Sequence, residues 1–177
     1  YHVVSAELKG DGRDAVYTVT DENGDVVSSD KTGMIYIKNP YLWQIGEPYL
    51  YTLTVRTATD CYREKFGIRK ISYDDKSLYV NDNPVYLKGF GMHEDFPIIG
   101  KGNNSAVNVR DFELLKWINA NCFRTSHYPY AEEIMDLADE YGLLVVDEVP
   151  AVGCNNWPDY TYGENRLDEI TLALHKN

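Results

Sequence analysis

The sequence predicts two consecutive folds, an all-β half followed by an α/β half. Short strands with a two-residue period fill positions 1 to about 71, and strands alternate with helical patterns from Tyr79 onward. The length of 177 residues, with 44% hydrophobic and 25% charged residues, is typical of a globular chain. We therefore expect two domains, residues 1–71 and residues 72–177.

The first half has the pattern of antiparallel strands joined by turns. In the stretch 51–57 (YTLTVRT), apolar side chains alternate with polar ones, as in a half-buried strand. The Asn23-Gly24 pair predicts a tight hairpin with positive φ at both residues. The other strands that the pattern predicts span 16–20, 25–27, 34–38 and 64–71. Several short strands separated by turn residues indicate a β-sandwich.

The second half alternates strands with helices. We predict strands at 85–90, 122–125 and 143–146. A hairpin around 81–84 precedes the first strand, Asn108 is the predicted cap of the first helix, and the second helix follows Pro129. The sequence pattern at 165–175 predicts the start of a third helix. This order fits either a doubly wound sheet or a barrel, and the lack of glycine-rich phosphate loops argues against nucleotide binding.

Charge and composition exclude several classes of function. The chain has 17 basic and 28 acidic residues, a net charge of −11, and no basic block, so we expect no nucleic-acid partner. No apolar run approaches the roughly 20 residues that span a bilayer, so we expect no membrane partner. Cys61, Cys122 and Cys154 form no CxxC pair; they predict neither a disulfide framework nor a zinc site and favour a reducing, cytoplasmic location.

Polar side chains follow each predicted strand of the α/β half. They are His93 and Glu94, then Arg124 and His127, then Asp147 and Glu148. The carboxyl ends of parallel strands meet at one edge, so we expect a ligand site there. Two imidazoles and a guanidinium suit sugar hydroxyls and a nearby carboxylate. By position alone, His93 fits a surface turn better than a ligand site, while Arg124 and His127 fit a structural or a functional role equally.

Asp147 and Glu148 do not have the pattern of an acid/base pair. Adjacent strand residues point to opposite faces, whereas two glycosidase carboxylates must flank the same bond. We expect one of them to support the site and the other to bind a neighbour. His93, Glu94, His127 and Asp147 lack the tight spacing of metal ligands, so we expect neither a metal nor another cofactor.

Longer motifs resemble glycoside hydrolase family 2, which unites β-galactosidases, β-mannosidases and β-glucuronidases. The main match is 121–129 (NCFRTSHYP), continued by the apolar pattern up to Val146. The stretches that resemble the β-glucuronidase branch are 89–95 (GFGMHED), 126–133 (SHYPYAEE) and 147–153 (DEVPAVG). Upstream, 39–43 (NPYLW) and 66–69 (FGIR) resemble the end of the sandwich domain of that family.

The resemblance implies an immunoglobulin-like sandwich followed by the first part of a (β/α)₈ TIM barrel. It also implies retaining hydrolysis of β-D-glucuronides through a covalent intermediate, without a metal, by an enzyme expected to be a homo-oligomer. On this reading His93 contacts the sugar, Arg124 supports the nucleophile, and His127 lines the same pocket. Two alternatives stay open: a β-galactosidase of the same family, and a noncatalytic carbohydrate-binding module.

Parts of the family pattern are missing from the sequence. The Asn-Glu pair with the acid/base, the later nucleophilic Glu and the Asn-x-Lys element for the glucuronate carboxylate do not occur. The 90 residues from Lys88 onward fall well short of the about 250 of a complete barrel. We therefore expect the chain to be a piece of an enzyme, incomplete at both ends and inactive alone.

Overall fold

A computed structural model of the chain describes residues 2–9 and 14–149. It divides into two compact units, Tyr1–Tyr86 with Asp139–Gly142, and Leu87–Ala138 with Leu143–Asn177, and each is described by itself. The helix predicted at 165–175 and Cys154 lie outside the described residues.

The first unit consists of antiparallel strands around a buried core. Its strands are β1 (His2–Ser5), β2 (Val16–Thr20), β3 (Val26–Asp30), β4 (Met34–Ile37), β5 (Tyr51–Arg56), β6 (Cys61–Phe66), β7 (Ile71–Tyr73), β8 (Leu78–Val80) and β9 (Asn83–Val85). They form a four-stranded sheet, β3-β2-β5-β6, a β1-β4 pair and a β7-β8-β9 sheet. Val19 and Tyr51 from the larger sheet share one core with Ile35 from β4. The predicted sandwich is therefore confirmed, because side chains of two sheets meet in one core.

The turn at Asn23-Gly24 differs from its prediction. In this turn only Gly24 has positive φ, at 88°, and the strands on either side are separated by five residues. The Asp21 carboxylate accepts hydrogen bonds from the backbone N–H groups of Asn23 and Asp25, at 3.0 and 2.9 Å. These contacts stabilise a wider turn than the two-residue hairpin that the sequence favours.

The single strand predicted at 64–71 is wrong, because β6 ends at Phe66 and β7 begins only at Ile71. Between them the chain passes close to Trp43. The backbone N–H of Trp43 donates to the carbonyl of Ile68 at 2.9 Å. A Cβ atom on Gly67 would lie 2.7 Å from the indole ring of Trp43. Close packing against this fully buried indole replaces regular strand pairing there.

The indole of Trp43 is further held by polar contacts inside the first unit. Its Nε1–H donates to the carbonyl of Asp139 at 2.8 Å. The Arg69 guanidinium lies 4.7 Å from the ring centroid and pairs with the Asp139 carboxylate at 3.0 Å. The indole N–H is therefore satisfied, as a buried donor must be.

The second unit alternates strands and helices. Its elements are β10 (Gly89–Met92), β11 (Asp95–Phe96), β12 (Gly100–Lys101), α1 (Ser105–Trp117), β13 (Cys122–Thr125), α2 (Glu132–Tyr141) and β14 (Leu144–Val146). The last three residues of α2, from Asp139 onward, belong to the first unit. Strands β10, β13 and β14 are parallel neighbours in that order, and β11 and β12 form a short hairpin. This is the right strand order for the start of a barrel.

One predicted strand boundary is corrected here, and the predicted hairpin before it is confirmed. The strand predicted at 85–90 lies at 89–92, because Asn83–Val85 pairs back onto β8 across a turn. Asn81 and Asp82 in that turn both have positive φ, 51° and 64°, which confirms the hairpin.

The predicted helix cap at Asn108 is wrong, since α1 begins one turn earlier. Asn104 is the cap, and its side-chain oxygen accepts from the backbone N–H of Val107 at 3.2 Å. Asn108 lies inside the helix and is buried, with its amide donating to the Asn103 side chain at 2.6 Å. Both asparagines suit a cap by residue type, and the tertiary burial of Asn108 decides between them.

An aromatic pair forms the centre of the second unit. Phe112 of α1 and Phe123 of β13 are 0% and 1% exposed, and their ring centroids lie 5.5 Å apart at an interplanar angle of 76°. This edge-to-face geometry is favoured between aromatic rings. It fixes α1 against the central strand of the parallel sheet.

Loss of the Asn104 cap is expected to weaken this unit. Asn104→Ala should lower the free energy of unfolding by about 1 kcal/mol, because the N–H of Val107 loses its acceptor. Urea denaturation measures the change. Asn104→Asp keeps an acceptor oxygen and should stay close to the parent protein; equal losses in the two variants would contradict the capping role.

Candidate active site

The parallel sheet brings the candidate residues to one edge. Gly91 is paired with Arg124 and Arg124 with Val146, so the carboxyl ends of β10, β13 and β14 are level. The chain leaves these ends at His93, at 126–127 and at 147–148. Residues far apart in sequence thus follow neighbouring strands at the same edge.

Arg124, His127 and Glu148 form a connected polar cluster at this edge. The Arg124 Nε–H donates to Glu148 Oε1, and Arg124 Nη2 lies 3.3 Å from His127 Nδ1. His127 Nδ1 lies 3.2 Å from Glu148 Oε2. Glu148 is the least exposed member, at 26% against 47% for Arg124 and 40% for His127. The carboxylate therefore joins the two groups that the sequence singled out.

His93 reaches the same cluster through its ring. The His93 and His127 ring centroids lie 5.5 Å apart, with an interplanar angle of 71°. The structure thus brings together His93, Arg124 and His127. Such a set offers nitrogen donors and acceptors to a sugar and a fixed positive charge to a carboxylate.

Asp147 and Glu148, the two residues that follow β14, both contact the Thr125 hydroxyl, one through its side chain and the other through its backbone. Asp147 Oδ1 accepts a hydrogen bond from the Thr125 hydroxyl at 2.7 Å, and that hydroxyl accepts from the Glu148 N–H at 2.8 Å. Thr125 is fully buried. The backbone that carries Glu148 is therefore attached to the central strand.

Glu94 has a structural contact at this edge. Its Oε1 accepts from the backbone N–H of Ala131 at 3.0 Å, and its own N–H donates to the Tyr128 hydroxyl at 3.3 Å. Lys101 Nζ lies 3.5 Å from the Tyr128 ring centroid, a cation–π contact. These contacts fix the segment after β10 to the segment after β13.

Sequence reasoning missed Tyr130. Its hydroxyl contacts the carbonyl oxygens of Met92 and Ser126, the latter at 3.1 Å, and so joins the ends of β10 and β13. Burial is the main reason that the pKa of Tyr130 is raised, so the hydroxyl keeps its proton as a donor. In the sequence, Tyr130 is only one aromatic residue of the stretch 126–133, and aromatic residues are common in cores.

The ion pair between Arg124 and Glu148 shifts the pKa of both groups. The hydrogen bond from Arg124 is the largest cause of a lowered pKa of the Glu148 carboxyl, with a smaller contribution from His127, while partial burial opposes both. The same hydrogen bond raises the pKa of Arg124. Glu148 is therefore a carboxylate near neutral pH and a poor proton donor.

Removing Arg124 is expected to raise the pKa of Glu148. A carboxyl whose pKa is lower in the folded state stabilises the fold above its ordinary pKa and loses this contribution as the pH falls through the lowered pKa. Because Arg124→Ala removes the largest cause of the lowered pKa, it should shift the titration of Glu148 to higher pH. The stabilising contribution of this carboxylate should then be lost at a higher pH than in the parent protein. Carboxyl ¹³C NMR, assigned with Glu148→Gln, measures it; an unchanged titration would contradict the pairing.

An apolar groove lies beside the cluster, between β10 and α1. It encloses about 400 Å³ and is lined by Phe90, Met92, His93, Asp111, Leu114, Leu115, Trp117 and Ile118. Of His93, Arg124 and His127, only His93 lines the groove. The cluster of Arg124, His127 and Glu148 therefore lies outside this groove.

The described residues contain no cluster of three or more His, Cys, Asp or Glu side chains placed to hold a metal ion. Neither described helix has the length and hydropathy that crossing a bilayer requires.

Two family profiles match the chain. Residues 2–69 match "Glycosyl hydrolases family 2", and residues 71–174 match "Glycosyl hydrolases family 2, TIM barrel domain". The two matches follow the order in which the structure places the sandwich and the parallel sheet.

Curated relatives cover the chain but are much longer. A β-glucuronidase of Paenibacillus borealis is 43% identical over 99% of this chain and 30% of its own length. A β-glucuronidase of Streptococcus agalactiae is 46% identical over 77% of this chain and 24% of its own length. The chain thus spans less than a third of the length of these relatives.

Solved structures of one enzyme share the fold. Ruminococcus gnavus β-glucuronidase in complex with uronic isofagomine has a TM-score of 0.72 and 48% identity, over 77% of this chain and 24% of that one. The same enzyme in complex with D-glucuronic acid has a TM-score of 0.72 and 49% identity, over 78% of this chain and 26% of that one.

Proposed function

Because the chain belongs to glycosyl hydrolases family 2, we propose that it supplies one wall of the active site of a retaining β-glucuronidase. The observation that carries this proposal is the cluster of His93, Arg124 and His127 at the ends of neighbouring parallel strands. The similarity to an enzyme solved with D-glucuronic acid supports glucuronides as the substrates.

We propose that the two imidazoles contact sugar hydroxyls and that Arg124 orients a catalytic carboxylate. Imidazole nitrogens can donate to or accept from hydroxyls, and a guanidinium binds carboxylates with fixed geometry. Arg124 already holds Glu148 through Nε, which restricts its rotation. A second carboxylate can approach the other guanidinium nitrogens.

We place the acid/base and the nucleophile outside the described residues. Retaining hydrolysis needs two carboxyl groups about 5–5.5 Å apart, one of them protonated. Glu94 accepts a hydrogen bond from the backbone N–H of Ala131, and Asp147 accepts one from the Thr125 hydroxyl. Glu148 accepts from Arg124 Nε. These contacts support a positioning role for the three carboxylates.

A substrate comparison tests the function. The protein that carries this chain should hydrolyse an aryl β-D-glucuronide much faster than the matching β-D-galactoside. Proton NMR of the first product should show the β anomer of glucuronic acid, because retention needs two inversions. Preference for the galactoside, or saturable sugar binding without hydrolysis, would overturn the proposal.

A polypeptide of residues 1–177 alone is expected to release no aglycone above a blank. The three carboxylates at the strand ends have other contacts, and the family's Asn-Glu pair does not occur in the sequence. Absorbance of released nitrophenol measures the rate, with the longer protein as positive control. Turnover by the 177-residue polypeptide would contradict the assignment of the catalytic acids.

We further propose a domain boundary near residue 71, supported by the family matches to 2–69 and 71–174. Cys61 and Cys122 are free thiols, which supports a cytoplasmic protein. A homo-oligomer without nucleic-acid or membrane partners is proposed from the family resemblance and the net charge of −11. Light scattering tests the oligomer.

A further inference from the structure

The Nδ1 atom of His127 lies between two groups that require opposite proton states. Glu148 Oε2, at 3.2 Å, can only accept a hydrogen bond, whereas Arg124 Nη2, at 3.3 Å, can only donate one. A single ring nitrogen cannot satisfy both. Which neighbour prevails determines which nitrogen of the neutral imidazole carries the proton.

Electrostatics favours the carboxylate. With a proton on Nδ1, the ring donates a charge-assisted hydrogen bond to Glu148. With the proton on Nε2, the Nδ1 lone pair would face the negatively charged Glu148 Oε2 at 3.2 Å. The only hydrogen bond gained would run from Arg124 Nη2 to a neutral nitrogen. Arg124 loses little by this choice, because its Nε already donates to Glu148 Oε1.

The carboxylate is also held in place to act on the ring. The N–H of Glu148 donates to the hydroxyl of Thr125 at 2.8 Å, and Thr125 is fully buried in the central strand. Its two carboxylate oxygens contact different partners, Oε1 the guanidinium and Oε2 the imidazole. A residue whose backbone N–H and both carboxylate oxygens have partners is restricted in its orientation.

We propose that Glu148 is a positioning residue that keeps the proton of neutral His127 on Nδ1 and leaves Nε2 as a hydrogen-bond acceptor for a substrate hydroxyl. Nε2 has no hydrogen-bond partner among the described residues, so it is available to a ligand. The assignment of a sugar hydroxyl as this ligand rests on the proposed function; the tautomer does not.

Histidine NMR tests the tautomer directly. The protein that carries this chain is labelled with ring ¹⁵N histidine and measured at about pH 8, where an ordinary imidazole is neutral. The signals of His127 are assigned by their loss in His127→Gln. An imidazole in water prefers the proton on Nε2, so a proton on Nδ1 reports the influence of its neighbours.

The parent protein is expected to show the Nδ1–H tautomer of His127 in about tenfold excess, the effect of one hydrogen bond to a charged group. Glu148→Gln should reverse the preference, since its amide can donate to Nδ1 while its oxygen still accepts from Arg124. Glu94→Gln, the same change at a carboxylate that contacts Ala131 instead, should leave the tautomer unchanged.

An Nε2–H tautomer or a doubly protonated ring in the parent protein would overturn the proposal, even if Glu148→Gln does not fold. The same tautomer in the parent and in a folded Glu148→Gln variant would also overturn it. The proposed function is separate: an Nδ1–H ring in a protein that does not cleave glucuronides would refute the glucuronidase and leave the role of Glu148 standing.

Discussion

Replacing Arg124 with alanine is expected to lower kcat/KM for an aryl β-D-glucuronide by about 10²- to 10³-fold, the usual cost of one preorganised donor. The change removes the guanidinium that pairs with Glu148 and lies 3.3 Å from His127 Nδ1. It leaves the Glu148 carboxylate without its cation, so this carboxylate positions the His127 ring less firmly. Small errors in the placement of such groups have large effects on rate. Steady-state kinetics of the protein that carries this chain measures the loss.

Arg110→Ala is the matched control for this prediction. Arg110 also pairs with a carboxylate, Asp111 at 2.8 Å, but on helix α1 with 63% of its side chain exposed. Its loss should leave kcat/KM unchanged. Arg124→Lys keeps the charge without the planar fork and should fall between the parent and Arg124→Ala. Unchanged kinetics in Arg124→Ala, with the fold intact, would contradict the site.

Truncating Phe123 is expected to lower the free energy of unfolding by about 3–5 kcal/mol. The ring is 1% exposed on the central strand of the parallel sheet and packs edge-to-face on Phe112. Phe123→Ala leaves a cavity under α1 and removes the aromatic pair. Urea denaturation followed by tryptophan fluorescence measures the change.

Phe90→Ala provides the comparison for Phe123→Ala. Phe90 is the register partner of Phe123 on β10, yet its ring is 62% exposed. Its truncation should lower stability by about 1 kcal/mol or less, because little apolar surface returns to water. Equal losses for the two phenylalanines would show that the aromatic pair is not the centre of the unit.

Periodicity was sufficient to predict most strands and their faces. The alternation in β5 predicted the buried side of the strand, where Tyr51 and Val55 are 2% and 8% exposed. The continuous apolar run predicted β14 to within one residue. The shared edge for His93, Arg124 and Glu148 followed from chain order alone, because parallel strands with crossover helices place their carboxyl ends together.

Contacts between distant residues could not be predicted in the same way. Arg124 and Glu148 are 24 positions apart, and nothing in their spacing indicates that Glu148, and not Asp147, would be the partner. In the structure the Thr125 hydroxyl donates to the Asp147 carboxylate and accepts from the backbone N–H of Glu148, so Asp147 is bound to β13 and the Glu148 carboxylate meets Arg124. The cap at Asn104 was missed for a similar reason, since burial of Asn108 is a tertiary effect.

A crystal structure of the protein that carries this chain, with D-glucuronic acid bound, tests the central claim most directly. We predict sugar hydroxyls within about 2.7–3.2 Å of ring nitrogens of His93 and His127, with Arg124 still paired to Glu148 beside them. A sugar bound elsewhere, with His93, Arg124 and His127 facing no common ligand, would contradict it.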